Sequence, residues 1–158
     1  GPVLDVGCGP GRHLHALARR GVFGLGVDLS AVAVGLARGA GARAIVASIF
    51  DELPGTGTWQ SALLLDGNIG IGGDPTRLLR RIRGLLTPEG QTLVELAAPH
   101  TPTGSTRIRL ETPRQSSDWF DWAEVSALDA ALVAADAGLE VQNCWNEGER
   151  WFALLSAR

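Results

Sequence analysis

Lysine, methionine and tyrosine are missing from this chain of 158 residues, and cysteine occurs twice. The 14 basic residues are therefore all arginine, against 17 acidic residues, for a net charge of −3. This acidic balance argues against independent binding to the nucleic-acid backbone, which requires a clustered basic face. Two cysteines, Cys8 and Cys144, are too few for a disulfide framework and predict a reducing, cytoplasmic setting.

Long apolar runs are absent as well. No run approaches the roughly 20 residues that cross a bilayer, and no signal-peptide pattern is visible. The sequence also has no P-loop, no clustered metal ligands, and no Ser/His/Asp or Cys/His set, so we expect neither a metal centre nor a dedicated nucleophile. Its 45% apolar and 20% charged residues are typical of a globular domain.

The most informative segment that is present is a glycine-rich loop directly after the first apolar strand. Its glycines, Gly7, Gly9 and Gly11, allow a tight turn and let a ligand approach the backbone. The helix that follows points its free N–H groups into the same space. Asp28 ends a second apolar run, where its carboxylate can accept hydrogen bonds from a ribose or cap the next helix. These features together predict a pocket for a nucleoside cofactor.

The spacing in this loop distinguishes between cofactors. The dinucleotide fingerprint requires glycine at its first, third and sixth positions, but the sixth position counted from Gly7 is Arg12. Asp5 lies two residues before the first glycine. A pyrophosphate gains nothing from that carboxylate, whereas a ligand with an ammonium or sulfonium group is attracted by it. Asp5 either contacts the ligand or organises the loop through backbone N–H groups.

The loop, the two aspartates and the order of the elements resemble motif I of the class I S-adenosylmethionine (SAM) methyltransferases, along nearly the whole chain. The resemblance implies SAM as cofactor and transfer of its methyl group to a small-molecule acceptor by in-line displacement. The loop then wraps the methionine part, and Asp28 holds the ribose. The cofactor-binding residues implied are Asp5, Gly7, Cys8, Gly9, Gly11, Asp28, Leu29, Ser48, Ile49, Asp66 and Gly67.

The predicted adenine contacts follow the third strand. The resembled family commonly has an acid where this chain has Ser48. A serine hydroxyl also accepts a hydrogen bond from the adenine amino group, and the Ile49 N–H can reach a ring nitrogen. Asp51 is a nearby substitute for the missing acid.

The predicted acceptor side follows the fourth and fifth strands. Asp66 and Asn68 lie where the family's reacting methyl group emerges, and the Asn-Pro-Pro-Tyr signature of nucleobase methylation is absent. Asp66 or His100 is the candidate weak base, and Asn68 is the candidate substrate contact. The alternatives are that Asp66 caps the loop, that Asn68 forms an Asx-turn, and that His100 is an exposed loop residue.

Some charged and aromatic side chains remain open to two interpretations. Arg12 and His13 are close enough to the loop to meet the cofactor's carboxylate. Three arginines hold an acidic substrate or form a solvated strand face: Arg107, Arg109 and Arg114. Three aromatic residues form core and lid packing or a substrate wall: Trp119, Phe120 and Trp122.

Strand and helix signals alternate along the chain, which predicts a parallel sheet with helices on both faces. Strands are expected at about 2–6, 22–27, 42–47, 61–65, 91–97, 139–146 and 150–156, with a further one at 106–111, and helices at about 11–20, 31–38, 75–86 and 126–138. Ser30 is the predicted cap of the second helix, and Asp74 with Pro75 marks the start of the third, which a turn at 87–90 ends. Ser126 with Asp129 resembles a capping box at the start of the fourth. The resemblance implies a three-layer, Rossmann-like α/β domain with strand order 3-2-1-4-5-7-6 and strand seven antiparallel. The expected domain is 1–158, without the family's N-terminal helices and with an insertion at 99–124.

Two other functions stay open at this stage. A nicotinamide-dependent oxidoreductase is disfavoured by Arg12 and by the C-terminal hairpin. A non-catalytic SAM-fold module that binds cofactor or a partner protein without turnover is compatible with the sparse set of candidate bases.

Overall fold

The centre of the molecule is a seven-stranded sheet. The computed structural model describes residues 1–113 and 115–158. The helices are α1 (Arg12–Arg19), α2 (Ala31–Gly39), α3 (Pro75–Arg83) and α4 (Ala130–Asp136), with a 3₁₀ turn at Asn68–Gly70. The strands are β1 (Val3–Val6), β2 (Gly24–Asp28), β3 (Ala44–Val46), β4 (Trp59–Leu64), β5 (Leu86–Leu96), β6 (Gly104–Ile108), β7 (Glu111–Thr112), β8 (Gln115–Ser116), β9 (Phe120–Glu124), β10 (Leu139–Glu147) and β11 (Arg150–Ala157).

The strand order of the large sheet is β3-β2-β1-β4-β5-β11-β10. Neighbouring strands are parallel from β3 to β5, and β11 runs antiparallel to both β5 and β10. A hairpin forces this reversal, because β10 and β11 are joined by a two-residue connection. The predicted order 3-2-1-4-5-7-6 is therefore confirmed, with β10 and β11 as strands six and seven.

The core lies on both faces of the sheet, as expected for parallel strands. All four residues of β1 are buried. On one face, Leu78, Leu79 and Ile82 of α3 are at most 2% exposed and belong to the larger hydrophobic cluster. On the other face, Leu14 and Val34 belong to a smaller cluster below α1 and α2.

Two helix starts agree with their sequence signals. Ser30 caps α2, since its Oγ accepts a hydrogen bond from the Ala33 N–H at 3.2 Å. Asp74 caps α3 in the same way through the Arg77 N–H at 2.9 Å, and Pro75 occupies the first helical position.

The predicted end of α3 was wrong. The helix ends at Arg83, and Leu85 and Leu86 are buried beyond it rather than on its face. Residues 87–90, predicted as a turn, lie inside β5 at an irregularity: Leu86 pairs with Trp59, and regular pairing resumes at Gln91. Both leucines are buried although they lie beyond the helix, so the spacing of apolar residues alone does not show where α3 ends.

The predicted capping box at Ser126 was also wrong. The Ser126 Oγ donates to the Pro99 carbonyl at 3.1 Å and accepts from the Leu128 N–H at 3.3 Å. The carboxylate of Asp129 accepts a hydrogen bond from the Thr103 hydroxyl at 2.6 Å. Both side chains therefore join the start of the insertion to the segment before α4, and the helix begins only at Ala130.

The segment 99–124 forms an antiparallel pair, β6 with β9, and a short second pair, β7 with β8. The strand predicted at 106–111 is thus divided, because β6 ends at Ile108. An isolated bridge pairs Ile71 with Trp122 and attaches the insertion to the loop after β4. Within the described chain, none of the helices has the length and apolar character that a membrane span requires.

Candidate active site

The glycine loop follows β1 at the carboxyl end of the parallel strands, where ligands bind in open α/β sheets. The N–H groups of Gly7 and Cys8 both donate to the Val27 carbonyl, at 2.8 and 3.2 Å. Gly7 has a φ of +71°, and a Cβ at this position would lie 2.5 Å from Nδ2 of Asn68. Gly9 has a φ of +52°, and a Cβ there would meet nothing within 4 Å. The loop is therefore tightly held at Gly7 and open at Gly9.

Asp28 joins this loop to the start of α2. Its Oδ2 accepts a hydrogen bond from the Gly9 N–H at 2.8 Å, and its Oδ1 accepts one from the Ser30 N–H at 2.8 Å. The carboxylate also lines the cavity described below. The N-cap of α2 is Ser30 and not Asp28, so the alternative that Asp28 caps this helix is wrong, and its contact with a ribose stays a prediction.

Asp5 lies beneath the loop and is 1% exposed. Its Oδ2 is buried and has no hydrogen-bond partner among the described residues. Burial raises the pKa of Asp5 from 3.8 to about 6, against the opposing effect of the nearby His13. A buried carboxylate oxygen without a partner is costly.

Cys8 is a buried neighbour of this carboxylate. Burial raises the pKa of its thiol to about 12, with further contributions from Asp5 and Asp28. The thiol is therefore protonated at neutral pH and is no nucleophile. A Cβ on Gly26 would lie only 2.5 Å from the Cys8 Sγ, so the thiol packs closely against β2.

A cavity of about 520 Å³ opens beside the loop. Of the residues predicted from sequence as site residues, six line it: Gly7, Asp28, Leu29, Ser48, Ile49 and Asn68. The other predicted residues are not among its lining residues: Asp5, Cys8, Gly9, Gly11, Asp66, Gly67 and His100. His100 is an exposed turn residue after β5.

The turn after β3 holds the cavity wall at Ser48 and Ile49. The Ser48 N–H donates to Oδ2 of Asp51 at 2.8 Å, and the Ser48 Oγ accepts from the Phe50 N–H at 3.2 Å. Arg81 of α3 fixes this turn by donating to the carbonyls of Ile49 and Asp51, at 2.9 and 2.5 Å. Asp51 is exposed and outside the cavity lining.

Asp66, the candidate base, lies in an ionic cluster. Nη2 of Arg12 donates to its two carboxylate oxygens at 2.8 and 2.6 Å, and Nη2 of Arg150 donates at 3.2 Å. Partial burial raises its pKa, but the hydrogen bond and charge of Arg12 and His13 outweigh this effect and hold the pKa below its usual value. Asp66 has a φ of +56°, and among the described residues it is the only non-glycine with positive φ.

Asn68 uses its amide to hold the glycine loop. Its Nδ2 donates to the carbonyls of Val6 and Gly7, at 2.8 and 3.0 Å. This contact differs from the Asx-turn considered from sequence. It ties the loop after β4 to the loop after β1, so two strand ends are fastened together at the cavity.

Sequence reasoning missed part of the lining. Ser30, Phe50 and Ile71 line the cavity, as do Leu110 and Asp121 of the insertion. Adjacency to Ile49 was the available signal for Phe50, but no sequence signal pointed to Leu110, because its place depends on how the insertion folds back.

Only two of the aromatic and arginine candidates in the insertion are among the described cavity-lining residues. Phe120 and Trp122 line the cavity, whereas Trp119 lies outside its lining. Arg107 and Arg109 are likewise not lining residues, and Arg114 lies outside the described residues. The described residues contain no group of three or more side chains suited to a metal ion.

A mostly parallel sheet of this order, with a glycine loop after β1 that is bound by the carboxylate at the end of β2, defines a Rossmann-like domain. The family model that matches residues 3–90 is described as a methyltransferase domain. The chain belongs to this family of SAM-dependent methyltransferases.

Solved structures share this fold. A SAM-dependent methyltransferase from Bacteroides fragilis, in complex with S-adenosyl-L-homocysteine (SAH), is 26% identical, with a TM-score of 0.86 over 99% of this chain and 72% of that chain. A 1,6-didemethyltoxoflavin-N1-methyltransferase from Burkholderia thailandensis, with that compound and SAH bound, is 19% identical, with a TM-score of 0.72 over 99% and 71%. A sugar N-methyltransferase from Streptoalloteichus sp. is 19% identical, with a TM-score of 0.74 over 99% and 80%. No curated protein shows a significant match to the chain.

SAM is the cofactor of this family, and the residues of the site fit it. Gly9 leaves open space, Asp28 lines the cavity, and Asp5, two residues before the loop, has a buried carboxylate oxygen without a partner among the described residues. The predicted cofactor is confirmed, and family membership removes the oxidoreductase alternative.

Proposed function

We propose that this chain transfers the methyl group of SAM to a small-molecule acceptor by in-line displacement. The proposal rests on the position of Asp28. Its Oδ2 accepts a hydrogen bond from the Gly9 N–H at 2.8 Å, and the residue lines a cavity of about 520 Å³. When bound, SAM supplies a methyl group activated by its sulfonium. The contribution of the chain is alignment of the two reactants and exclusion of water.

Each part of the cavity has a proposed task. Asp28 holds the ribose, with Leu29 beside it. Ser48 and Ile49 receive the adenine; the hydroxyl of Ser48 then accepts a second hydrogen bond beside that from the Phe50 N–H. Gly7, Cys8, Gly9 and Gly11 form the loop around the methionine part, and Asp5 attracts its positive charge from below.

The proposed proton acceptors remain Asp66 and His100, and their roles stay predictions. A base role for Asp66 requires it to release Arg12, which is bonded to both carboxylate oxygens. His100 requires a movement that brings it to the cavity. Asp66 and Gly67 remain proposed neighbours of the methionine part, and Asn68 remains the proposed acceptor contact.

A small molecule is the proposed acceptor, and the cytoplasm is the proposed location. Two structural neighbours are named for small-molecule and sugar methylation, which supports an acceptor of this size. The net charge of −3 supports the expectation that nucleic acid is not a partner.

Isothermal titration of the protein with SAM, SAH and NAD tests the proposal. We expect SAM and SAH to bind and NAD to give no heat, because Asp5 repels a pyrophosphate. The Asp28→Ala variant should bind SAM at least about tenfold more weakly, since it loses charged hydrogen bonds to the ribose. The Asp136→Ala variant removes an exposed carboxylate on α4 and is the control. Unchanged SAM binding by Asp28→Ala would remove Asp28 from the site.

A binding module without turnover is the second candidate. It is favoured by the placement of both candidate bases, since Asp66 is held by two arginines and His100 is exposed. Transfer of a labelled methyl group to any compound of an acceptor panel would exclude it.

A further inference from the structure

One wall of the cavity is contributed by the insertion. Leu110, Phe120 and Trp122 line the cavity here, next to Ile71 of the loop after β4. The rings of Phe120 and Trp122 meet edge to face, with centroids 6.1 Å apart at 81°, an arrangement that aromatic pairs prefer. We call Leu110, Phe120, Trp122 and Ile71 the aromatic wall.

The aromatic wall is attached to the loop after β4, at the carboxyl end of the parallel strands. Trp122 pairs with Ile71 through a backbone bridge, and all five residues of β9 pair in register with β6. A Cβ on Gly70 would lie 2.6 Å from Nε1 of Trp122 and 2.2 Å from the Ala123 carbonyl oxygen. Only glycine permits this approach, so the wall stands directly beside the loop that carries Asn68.

None of the described lining side chains is cationic, although Arg77 lies over the ring of the lining residue Phe50, 4.3 Å from its centroid. Among the described lining residues, only Asp28 and Asp121 carry ionisable side chains, and both are acidic. Neither Arg107 nor Arg109 lines the cavity, but Arg107 forms an ion pair with Asp121 and so offsets part of its charge. Arg107 lies 3.6 Å from Oδ1 of Asp121, and Arg109 forms an ion pair with Glu111 and lies over the ring of Trp119.

From this wall and these charges we propose that the methyl acceptor is a planar aromatic compound, neutral or cationic, which packs against Phe120 and Trp122. Flat apolar rings gain contact area on such a wall, and a cationic group is further attracted by aromatic faces and by the carboxylate of Asp121. Phe120 and Trp122 are thus specificity-determining residues. The acidic-substrate interpretation of the insertion's arginines is disfavoured. This inference rests on the proposed function.

The test uses matched probes in the presence of saturating SAH, so that only space left by the cofactor is sampled. 2-Naphthylmethylamine, 2-naphthylmethanol and 2-naphthoate share the naphthalene ring system and differ in charge, and cyclohexylmethylamine has the amine without an aromatic ring. By isothermal titration we expect the amine and the alcohol to bind, and 2-naphthoate and cyclohexylmethylamine to bind at least about tenfold more weakly.

Variants assign the binding to the wall. Phe120→Leu and Trp122→Leu should each weaken the binding of 2-naphthylmethylamine by about tenfold and leave the affinity for SAH unchanged. Trp119→Leu alters an aromatic residue of the same insertion outside the cavity and should have no effect. Because Trp122 packs on Gly70, Phe120→Leu is the decisive variant if Trp122→Leu does not fold. Asp121→Asn should reduce the preference for the amine over 2-naphthoate.

The outcomes separate the two proposals. Loss of SAH binding by the unmodified protein would overturn the proposed function and this inference together. If SAH binds, any of three results would overturn this inference and leave methyl transfer standing. These are equal binding of 2-naphthoate, no preference for the aromatic probes, and displacement of SAH by the probes. Displacement would assign the aromatic wall to the cofactor itself.

Discussion

Asp5 is buried to 1% exposure, and its Oδ2 lacks a hydrogen-bond partner among the described residues. Its pKa of about 6 lies above the value of 3.8 for an unperturbed carboxyl. A raised acid pKa means that the folded chain binds the proton more tightly than the unfolded chain. Ionisation of Asp5 therefore lowers stability as pH rises between about 4 and 6, and the loss is complete at neutral pH.

Asp5→Asn should therefore stabilise the protein at pH 7. The shift from 3.8 to about 6 corresponds to roughly 3 kcal/mol, an upper bound because the amide also needs partners. Urea unfolding at pH 7 measures this gain, and the gain should shrink at pH 4, where Asp5 is protonated in both states. A less stable variant at pH 7 would contradict the electrostatic account of Asp5.

The same residue should make cofactor binding depend on pH. SAM carries positive charge, so its affinity should rise with pH as Asp5 ionises near pH 6. Titration calorimetry between pH 5 and 8 measures the effect, and Asp5→Asn should bind more weakly with a flatter profile. His13, Arg12, Asp66 and Asp28 also act on Asp5, and a His13→Asn variant separates the contribution of the histidine. A pH profile that Asp5→Asn leaves unchanged would assign it to another group.

At the scale of secondary-structure elements, an ionic cluster joins four parts of the fold. Arg12 of α1 and Arg150 of β11 both bind Asp66 in the loop after β4. Glu95 of β5 accepts from the Asp66 N–H at 2.7 Å and from the Arg150 Nη2 at 2.6 Å. The strained backbone of Asp66 is thus held from several directions, next to Asn68, which holds the glycine loop.

Asp66→Asn should weaken SAM binding with little change in global stability. The side chains of Arg12 and Asp66 are 61% and 55% exposed, and exposed ion pairs contribute only about 0–1 kcal/mol. The loosened contact between α1 and the loop after β4 should raise the SAM Kd by less than about tenfold, as measured by calorimetry. Glu89→Gln, an exposed change on β5, is the control.

Two results would count against this account of Asp66. An unchanged Kd would show that the cluster does not support the glycine loop. A normal Kd combined with a loss of at least about 100-fold in turnover, at saturating SAM and an acceptor found by the panel, would assign Asp66 as the proton acceptor instead.

At the scale of the whole molecule, the site draws on the glycine loop, the ends of β2 and β3, the loop after β4 and the insertion. These parts meet only in the folded chain. A ligand that binds them all therefore binds the native state alone and stabilises it by mass action.

SAH should accordingly raise the thermal midpoint of the whole domain. At 100 times its Kd, the expected gain in free energy of unfolding is about 2.7 kcal/mol, read by differential scanning fluorimetry or urea unfolding. A Kd that is tenfold higher in Asp28→Ala should reduce the gain to about 1.4 kcal/mol at the same SAH concentration. A gain that is equal in both proteins would show that SAH binds elsewhere.

Much of this architecture was determined by the sequence itself. Alternation of strands and helices, the caps at Ser30 and Asp74, the close spacing of the glycines and the short final hairpin each depend on residues near one another in the chain. Backbone freedom and capping are local properties, so they can be read without coordinates. The glycine loop and Asp28, each at the end of an apolar run, were likewise the signals that predicted the nucleoside site.

Only the tertiary structure decided which distant residues meet. Leu85 and Leu86 are buried in the core beyond the end of α3 and not on its face. Asp66 is bound by Arg12 and Arg150, 54 and 84 positions away in the chain, and the insertion brings Phe120 and Trp122 to the cavity. Contacts of this kind arise from packing and charge between elements, and the periodicity of a single segment carries no record of them.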